Sequence, residues 1–423
     1  MENNKPFLKV ERLKQYFKLG KKELPAVDDI SFDIYKGEVF GLVGESGCGK
    51  TTTGRTIIRL YDATGGSVYF DGTRIVAGIR NYKDAIKQAK AECKATLASL
   101  KAEFKNNRKS EEYAKAVKVA YQKRNEIIAF NVEEIKKARH DHRNCNREYG
   151  RKEAKKVDEK YLPLLEAETD NTKRAKLKKQ YKKERKLALK DRIMNRIQMI
   201  FQDPIASLDP RMTVKDIIAE GLIIRGIKDK KVINKQVYKV LDMVGLVEEH
   251  ATRYPHEFSG GQRQRIGIAR AIILEPDLII ADEPISALDV SIQAQIINLL
   301  NDLRDKMGLT ILFIAHDLSV VKYFSDRIAV MYYGKIVEFT TSDELFKHPL
   351  HPYTKSLLSA IPLPDPRYEK KRKRITYNPL RDHDYTQEGP VMREVISGHF
   401  VYCNSEEFNR YQEEIKAIDA KEK

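Results

Sequence analysis

The sequence predicts a doubly wound α/β fold, in which helices cover both faces of a mainly parallel sheet. Continuous apolar runs of strand length are typical of strands covered on both faces, and they occur at residues 197–201, 278–281, 310–315 and 328–332. Helical patterns lie between these runs. A glycine-rich loop, residues 44–49, also follows an apolar strand and precedes a helix.

The size and the cysteines limit the class of protein. A chain of 423 residues can bury one large core or several smaller ones without staples. The four cysteines form no C-x-x-C pair, which favours a reducing compartment over a disulfide framework. Neither a secretory leader nor an apolar run of about 20 residues is visible. We therefore expect a cytoplasmic protein without a membrane span.

Residues 1–77 are predicted to form short strands around one helix. The β-prone runs lie at residues 7–10, 30–34, 39–43 and 67–70, separated by glycine-containing turns. The helix should begin at Thr51, directly after the glycine-rich loop. We treat this part as the first lobe of the α/β domain.

Residues 78–191 have a different composition. Between Arg80 and Asp191 there are 33 Lys and Arg against 18 Asp and Glu, which is most of the excess behind the net charge of +17. Such a segment favours helix but has too little apolar surface for its own core. Predicted breaks divide it into several helices folded back as hairpins; these breaks lie at Asn106-Asn107, Tyr149-Gly150, Pro163 and Asp170-Asn171. The His and Cys residues at 140–145 could suggest a metal site, but their crowded spacing favours a surface cluster.

Ordinary globular sequence returns in residues 192–347, which we assign to the remainder of the α/β domain that residues 1–77 begin. Residues 348–423 are predicted to be a C-terminal extension of mixed composition.

The glycine-rich loop matches the phosphate-binding pattern G-x-x-x-x-G-K-[ST]. In this motif backbone N–H groups and a helix N-terminus surround the phosphates of a nucleotide. The lysine reaches the β- and γ-phosphates and the threonine ligates Mg²⁺. The predicted nucleotide-binding residues are Gly44, Glu45, Ser46, Gly47, Cys48, Gly49, Lys50, Thr51 and Thr52.

Two further motifs point to hydrolysis. Asp282 and Glu283 follow a buried strand, where one carboxylate can bind Mg²⁺ and the other can activate a water molecule. A second anion site, at the start of an amphipathic helix, is formed by Ser259, Gly260, Gly261 and Gln262. Because the chain has a single phosphate loop, two chains arranged head to tail would each cover the other's nucleotide.

These motifs and their order resemble the ATP-binding-cassette (ABC) family. The resemblance implies a P-loop NTPase cassette with a RecA-like core, an antiparallel β subdomain and an α-helical subdomain, to which this chain adds the charged insertion and the extension. It implies ATP and Mg²⁺ as cofactors, with Thr51, Gln202 and Asp282 at the metal. Glu283 would be the general base, His316 would hold the γ-phosphate, Asp289 would link the two sites of the dimer, and Gln202 would sense the nucleotide. Tyr16 resembles the aromatic residue on which adenine stacks, although Phe17 is an alternative.

A finer resemblance is to the ATPases of the oligopeptide and dipeptide importers. It depends on residues 41–50 and 199–212 and on His351-Pro352-Tyr353-Thr354, and it covers roughly residues 7–75 and 192–366. It implies an ATPase on the cytoplasmic face of the membrane that pairs with a sister ATPase and energises peptide import. Two permease subunits and an extracellular peptide-binding protein would complete the transporter.

The charged insertion leaves other interpretations open. It could be a solvated helical segment, it could contact anionic lipid or a partner, or, least favoured, it could contact nucleic acid. The rival function is therefore a soluble ABC-class ATPase that acts on nucleic acid or ribosomes. The insertion precedes Gln202 rather than following it, and the chain has one cassette; both points favour the importer.

Overall fold

A computed structural model describes residues 5–105, 107–361 and 374–422. In these residues the strands form two sheets, one of four strands and one of eight. No helix among them has both the length and the hydropathy that a bilayer crossing requires.

The first lobe contributes strands to both sheets. Its elements are β1 (Leu8–Leu19), β2 (Lys22–Ile34), β3 (Val39–Val43), α1 (Lys50–Ile57), β4 (Gly65–Phe70) and β5 (Thr73–Ala77). The four-stranded sheet is antiparallel, with the order β2-β1-β4-β5, whereas β3 belongs to the larger sheet. All four predicted runs lie in strands, although the β1–β2 hairpin is longer than the sequence pattern indicated.

The insertion forms three long antiparallel helices. They are α2 (Arg80–Glu103), α3 (Glu111–Ala167) and α4 (Asn171–Ala188), and both α2 and α4 pack along α3. The predicted breaks near Asn107 and Asp170 are confirmed, and Asn106 lies outside the described residues. Ser110 and Asp170 explain these boundaries, because each side chain caps the helix that follows by accepting backbone N–H groups.

The predicted breaks at Tyr149-Gly150 and Pro163 are wrong, because α3 runs through both. Gly150 lies where α3 passes close to the backbone carbonyls of Leu189 and Asp191, so the glycine serves a close approach rather than a turn. Pro163 lies near the end of the helix, where its missing N–H removes a single hydrogen bond.

The middle of α3 is attached to the first lobe through residues 140–145. Arg59 donates to the backbone oxygen of His142 (2.7 Å) and contacts the Cys145 sulfur (3.1 Å). Arg74 forms an ion pair with Asp141 (2.6 Å). Since Cys145 is buried, this segment is a docking contact rather than the surface cluster predicted from the sequence.

The chain then returns to the larger sheet. The strands and α-helices between residues 197 and 341 are β6 (Ile197–Ile200), α5 (Val214–Arg225), α6 (Lys230–Met243), α7 (Gly260–Ile272), β7 (Leu278–Asp282), α8 (Val290–Met307), β8 (Thr310–Ala315), α9 (Leu318–Phe324), β9 (Arg327–Tyr332) and β10 (Lys335–Thr341). Strands β9, β3, β8, β7 and β6 are parallel neighbours, so the predicted parallel sheet is confirmed. Helices α5, α6 and α7, which lie between β6 and β7 in the sequence, pack on one another.

Alternation along the central strands supplies two cores, one on each face of the sheet. Val43, Ala281 and Phe313 point to the face covered by the helices after β6. Leu42 and Ile280 point to the face covered by the first lobe. Each fully buried Val, Leu, Ile or Phe side chain stabilises the fold by about 1.5–3 kcal/mol. Burial on both faces explains why these strands are continuously apolar in the sequence.

The C-terminal segment continues the larger sheet. Its elements are α10 (Ser342–Lys347), α11 (Pro352–Ala360), α12 (Pro379–Asp382), β11 (Val391–Ile396), β12 (His399–Cys403) and α13 (Ser405–Glu422). Strand β12 pairs with β10, which gives the order β11-β12-β10-β9-β3-β8-β7-β6. The region that was hard to place from the sequence is therefore joined to the core by strand pairing.

Candidate functional site

The phosphate loop connects β3 to α1 at the carboxyl edge of the parallel strands. Gly49 occupies the N-cap of α1 with φ of 110°, and a Cβ atom there would overlap the backbone oxygen of Ala26. No side chain caps α1, so its first N–H groups stay available to an anion. The loop thus has the backbone geometry of a phosphate cradle.

Lys50 is the charged group within this cradle. Its side chain is 3% exposed. The ammonium donates to the backbone oxygens of Gly44 (2.7 Å) and Glu45 (2.9 Å). It also lies 3.8 Å from a carboxylate oxygen of Glu283. A positive charge is therefore held across the loop.

Asp282 ends β7 beside the start of α1. The Thr51 hydroxyl donates to its Oδ1 atom (2.7 Å), and Oδ2 has no hydrogen-bond partner among the described residues. Burial raises the pKa of Asp282, and the hydrogen bond from Thr51 opposes that rise. A buried acceptor without a donor costs about 1–3 kcal/mol unless a cation or water faces it.

Glu283 contacts side chains from three other parts of the chain. Its Oε2 atom accepts from the Gln202 amide (3.1 Å) and lies 3.2 Å from Nδ1 of His316. Its Oε1 atom is the one that faces Lys50. Residues predicted from three different motifs are thus in contact around a single carboxylate.

The backbone at Glu283 is strained. Its φ is 45°, in the left-handed region that L side chains rarely adopt. Such a conformation costs on the order of 1–3 kcal/mol and persists where the surroundings hold it, often at functional sites. Here the Glu283 N–H donates to the Ile314 oxygen of β8 (2.9 Å), which fixes the turn.

The predicted signature residues lie elsewhere on the surface. Ser259 caps α7 by accepting from the Gln262 N–H (3.3 Å), and the Gln262 side chain accepts from the Ser259 N–H (3.1 Å). Ser259 and Gly260 are exposed, and a Cβ at Gly261 would meet Ile292 of α8. Among the residues described, no hydrogen bond or ion pair joins the signature to the phosphate loop.

Asp289 is at the N-cap position of α8, next to the signature. Its side chain makes no capping hydrogen bond, and the residue is exposed, as is the following Val290. The structure therefore brings Lys50, Asp282, Glu283, Gln202 and His316 together and places the signature and Asp289 on a separate exposed surface.

Tyr16 lies on β1 and its ring is held on two sides. The hydroxyl donates to Asp28 (2.5 Å), and the Arg80 guanidinium lies 4.9 Å from the ring centroid. Phe17 instead packs edge-on against Tyr61 (5.2 Å). The stacking of adenine on Tyr16 stays a prediction, and Arg80 is a neighbour that the sequence did not indicate.

The residues fit ATP and Mg²⁺. The phosphate loop suits a polyphosphate for two reasons. Its backbone cradle depends on Gly49, where a Cβ would overlap the backbone, and Lys50 supplies a positive charge. A magnesium ion prefers oxygen ligands, and the Thr51 hydroxyl, the Asp282 carboxylate with its unpartnered oxygen and the Gln202 amide provide them.

Comparison with known families gives two matches. The ABC transporter family matches residues 27–176 and 164–286. The C-terminal region of oligopeptide and dipeptide transporters matches residues 337–388. The second match includes His351, Pro352 and Tyr353.

Individual relatives match almost the whole chain. The oligopeptide transport ATP-binding protein OppF of Bacillus subtilis (strain 168) is 46% identical over 405 residues, covering 96% of this chain and 98% of the relative. The dipeptide transport ATP-binding protein DppF of Lactococcus lactis subsp. cremoris (strain MG1363) is 42% identical, covering 97% and 98%. Matches of this extent include most of residues 78–191, so these relatives share the insertion.

A solved structure agrees on the fold. The ADP conformation of MJ1267, an ATP-binding cassette of an ABC transporter, has a TM-score of 0.50 at 19% identity and covers 84% of this chain and 99% of that one. Sequence, site geometry and relatives therefore agree that the chain belongs to the ABC transporter family of ATP-binding proteins, in the branch that carries the oligopeptide/dipeptide transporter C-terminal region.

Proposed function

We propose that this ABC-family ATPase energises the import of oligopeptides by coupling ATP hydrolysis to membrane permease subunits. The observation that carries the proposal is the contact of Lys50, Gln202 and His316 with one carboxylate, Glu283, in a chain that has the oligopeptide transporter C-terminal region. The names of the relatives give no support to the alternative that involves nucleic acid or ribosomes.

The binding of ATP follows from the loop. The N–H groups of residues 44–52 and the start of α1 would hold the phosphates, and Lys50 would turn its ammonium from the Gly44 and Glu45 carbonyls toward the terminal phosphate. Mg²⁺ held by Thr51, Asp282 and Gln202 would neutralise phosphate charge when bound.

Glu283 is proposed as the general base. Its carboxylate follows the strand that ends at Asp282, where it would accept a proton from a water molecule that attacks the terminal phosphate. His316, 3.2 Å away and half exposed, would keep that carboxylate oriented and bind the γ-phosphate. Gln202 touches the same oxygen, so the nucleotide would alter the contacts of the Gln202 segment.

The exposed signature and Asp289 support a head-to-tail dimer. Among the described residues, the helix N-terminus formed by Ser259, Gly260, Gly261 and Gln262 makes no hydrogen bond or ion pair with the chain's own phosphate loop, and the Asp289 side chain makes no capping hydrogen bond. In the dimer, the signature and Asp289 of one chain would complete the nucleotide site of the other chain. We propose a sister ABC ATPase as that partner, in a heterodimer.

The permease subunits would contact the side of the chain that carries Gln202. A groove of about 980 Å³ lies between the insertion, β6 and the helices α5 and α7, and its lining includes Arg147, Met199, Phe201 and Ile224. Because β6 leads directly into Gln202, a permease segment in this groove would be coupled to Glu283. In this arrangement the chain would lie on the cytoplasmic face of the membrane, with an extracellular peptide-binding protein as an indirect partner.

The domain boundaries and the insertion complete the proposal. We assign residues 1–77 and 192–347 to the nucleotide-binding domain, 78–191 to the insertion and 348–423 to the extension. Helix α4 has nine Lys and Arg against one Glu and no buried residue, which suits contact with anionic lipid head groups.

The test is to purify the tagged full chain from detergent-solubilised membranes of its host and to identify its companions by mass spectrometry. Two permeases, a second ABC ATPase and a peptide-binding protein encoded or purified with them would support the importer. Recovery of ribosomal proteins or nucleic acid without a permease would contradict it.

A further inference from the structure

A tyrosine of the C-terminal segment touches the phosphate loop. The Tyr353 hydroxyl accepts the backbone N–H of Glu45 at 2.9 Å, across 308 residues of sequence. Tyr353 is 1% exposed, and burial raises the pKa of its hydroxyl, which therefore stays neutral. Glu45 is the second residue of the loop, two residues after Val43, where β3 ends.

The position of Tyr353 is set by the turn before it. Both carboxylate oxygens of Glu338, a fully buried residue of β10, accept backbone N–H groups, from Leu350 (2.8 Å) and His351 (3.0 Å). The His351 ring then caps α11 by accepting from the Tyr353 N–H (3.1 Å). The large sheet thus fixes the first turn of α11, and with it the tyrosine.

The tyrosine ring is packed on two sides by other aromatic residues. Its centroid lies 4.5 Å from that of Tyr332 and 5.5 Å from that of Tyr377. Tyr332 ends β9, and the turn after it provides a second contact to the loop, because the Gly334 N–H donates to the Cys48 oxygen (2.8 Å). The loop is therefore held at Glu45 by the C-terminal segment and at Cys48 by the β9–β10 turn.

We infer that Tyr353 is a positioning residue for nucleotide binding, which keeps the entrance of the phosphate loop in the shape that receives the phosphates. The Glu45 N–H does not need to bind phosphate for this role. Without the hydroxyl, this partly buried N–H would lose its protein acceptor, and the loop would shift or admit water to replace it. Nucleotide binding would then have to restore the cradle at a cost in affinity. The inference concerns the nucleotide site and is independent of the transported substrate.

The test is Tyr353→Phe in the full chain, with MgADP binding measured by isothermal titration calorimetry. ADP contains the phosphates that the loop contacts and is not turned over. We expect its Kd to rise about fivefold, the factor that corresponds to the loss of one hydrogen bond of about 1 kcal/mol. Hydrogen exchange of the peptide that contains Glu45 should become faster in the variant, whereas that of peptides from α8 should not.

Tyr377→Phe is the matched control. It removes a hydroxyl from the same aromatic cluster, one that contacts His383 (3.0 Å) and not the loop. A purely structural role predicts a lower melting temperature for both variants and an unchanged Kd for both, and that result would overturn the inference. Lys50→Ala tests separately whether the phosphate loop is the nucleotide site. If this substitution leaves the Kd for ADP unchanged, the loop is not the nucleotide site.

Discussion

At the scale of single residues, Glu283 combines a strained backbone with contacts to three functional groups. A positive φ of 45° places its carboxylate beyond the strand end, where Gln202, His316 and Lys50 reach it. Because glutamine has nearly the same shape as glutamate, we expect Glu283→Gln to preserve the fold and to leave ATP binding nearly unchanged. Since the amide cannot accept a proton from water, ATP turnover at this site should fall by about 10²–10⁴-fold.

The measurement is single-turnover hydrolysis with the full chain, alongside ATP binding. Glu413→Gln serves as a control, because it makes the same acid-to-amide change at an exposed position of α13, for which no role at the nucleotide site is proposed. If Glu283→Gln hydrolyses ATP in a single turnover at the original rate, another group is the base.

His351 predicts how stability depends on pH. Burial, with smaller contributions from His383 and Lys355, lowers its pKa from 6.5 to about 3. A depressed pKa means that the folded state favours neutral histidine. The contribution of neutral His351 to the stability of the fold is therefore complete above pH 6.5 and is lost as the pH falls toward 3. Between pH 7.5 and 5 this one residue should cost about 2 kcal/mol of unfolding free energy.

His351→Asn tests this prediction, because asparagine can also cap α11 but does not titrate. Denaturant unfolding at a series of pH values should show a weaker pH dependence for the variant than for the original chain. Equal slopes over this range would show that His351 does not carry the effect.

Residues within a motif could be identified from the sequence, but contacts between distant segments could not. Lys50, Asp282 and His316 each follow or precede an apolar strand in a recognisable spacing, and the structure places them together. Tyr353 was noted only as part of a family resemblance, because nothing local shows that its hydroxyl meets Glu45. Arg80 likewise reaches Tyr16 only through the folding of α2 against the first lobe.

At the scale of elements, the central strands were predictable because both faces of the sheet are covered. The helix α3 was not, since Gly150 and Pro163 are normally signs of a break. Pro163 is tolerated because it lies near the end of the helix, whereas Gly150 is explained by a tertiary contact. At Gly150 the last turn of the insertion returns so close that only a glycine leaves room for the carbonyls of Leu189 and Asp191.

This close approach predicts an unusual response to Gly150→Ala. In a helix interior, alanine normally stabilises by about 0.5–1 kcal/mol relative to glycine. At Gly150 a Cβ would lie 2.8 Å from the Leu189 oxygen, so the overlap should instead destabilise the fold by about 1–2 kcal/mol. Urea unfolding of the full chain measures the difference.

Gly267→Ala is the matched control, because this glycine also lies within a helix, α7, but a Cβ there would meet no atom within 4 Å. The two substitutions should shift stability in opposite directions. Stabilisation by both would show that the Leu189 carbonyl moves aside without cost and that α3 is held by its other contacts.

At the scale of the whole molecule, most of the excess positive charge lies in the insertion. Helix α4 lies on the outside of α3, and its single Glu is paired with Lys160 and its Arg185 with Asp158. The exposed basic residues without an ion pair among the described residues are Lys173, Arg174, Lys176, Lys178, Lys179, Lys182, Lys183 and Lys186. A long helix that buries nothing and concentrates charge is suited to an anionic surface rather than to the core.

The last prediction compares two variants of the full chain that each lose four positive charges. One changes Lys178, Lys179, Lys182 and Lys183 of α4 to glutamine. The other changes Lys230, Lys231, Lys235 and Lys239 of α6, which are equally exposed. In flotation with vesicles that contain anionic lipid, the original chain and the α6 variant should bind at low ionic strength, whereas the α4 variant should lose most of its binding.

The effect should be large, because each lysine near an anionic membrane contributes about 1 kcal/mol and this attraction is screened by salt. Binding should therefore fall for every variant as ionic strength rises, and neutral vesicles should bind none of them. Equal losses in the two variants would mean that net charge alone governs the attraction. In that case α4 has no special role, and the insertion serves the permease groove or is simply solvated.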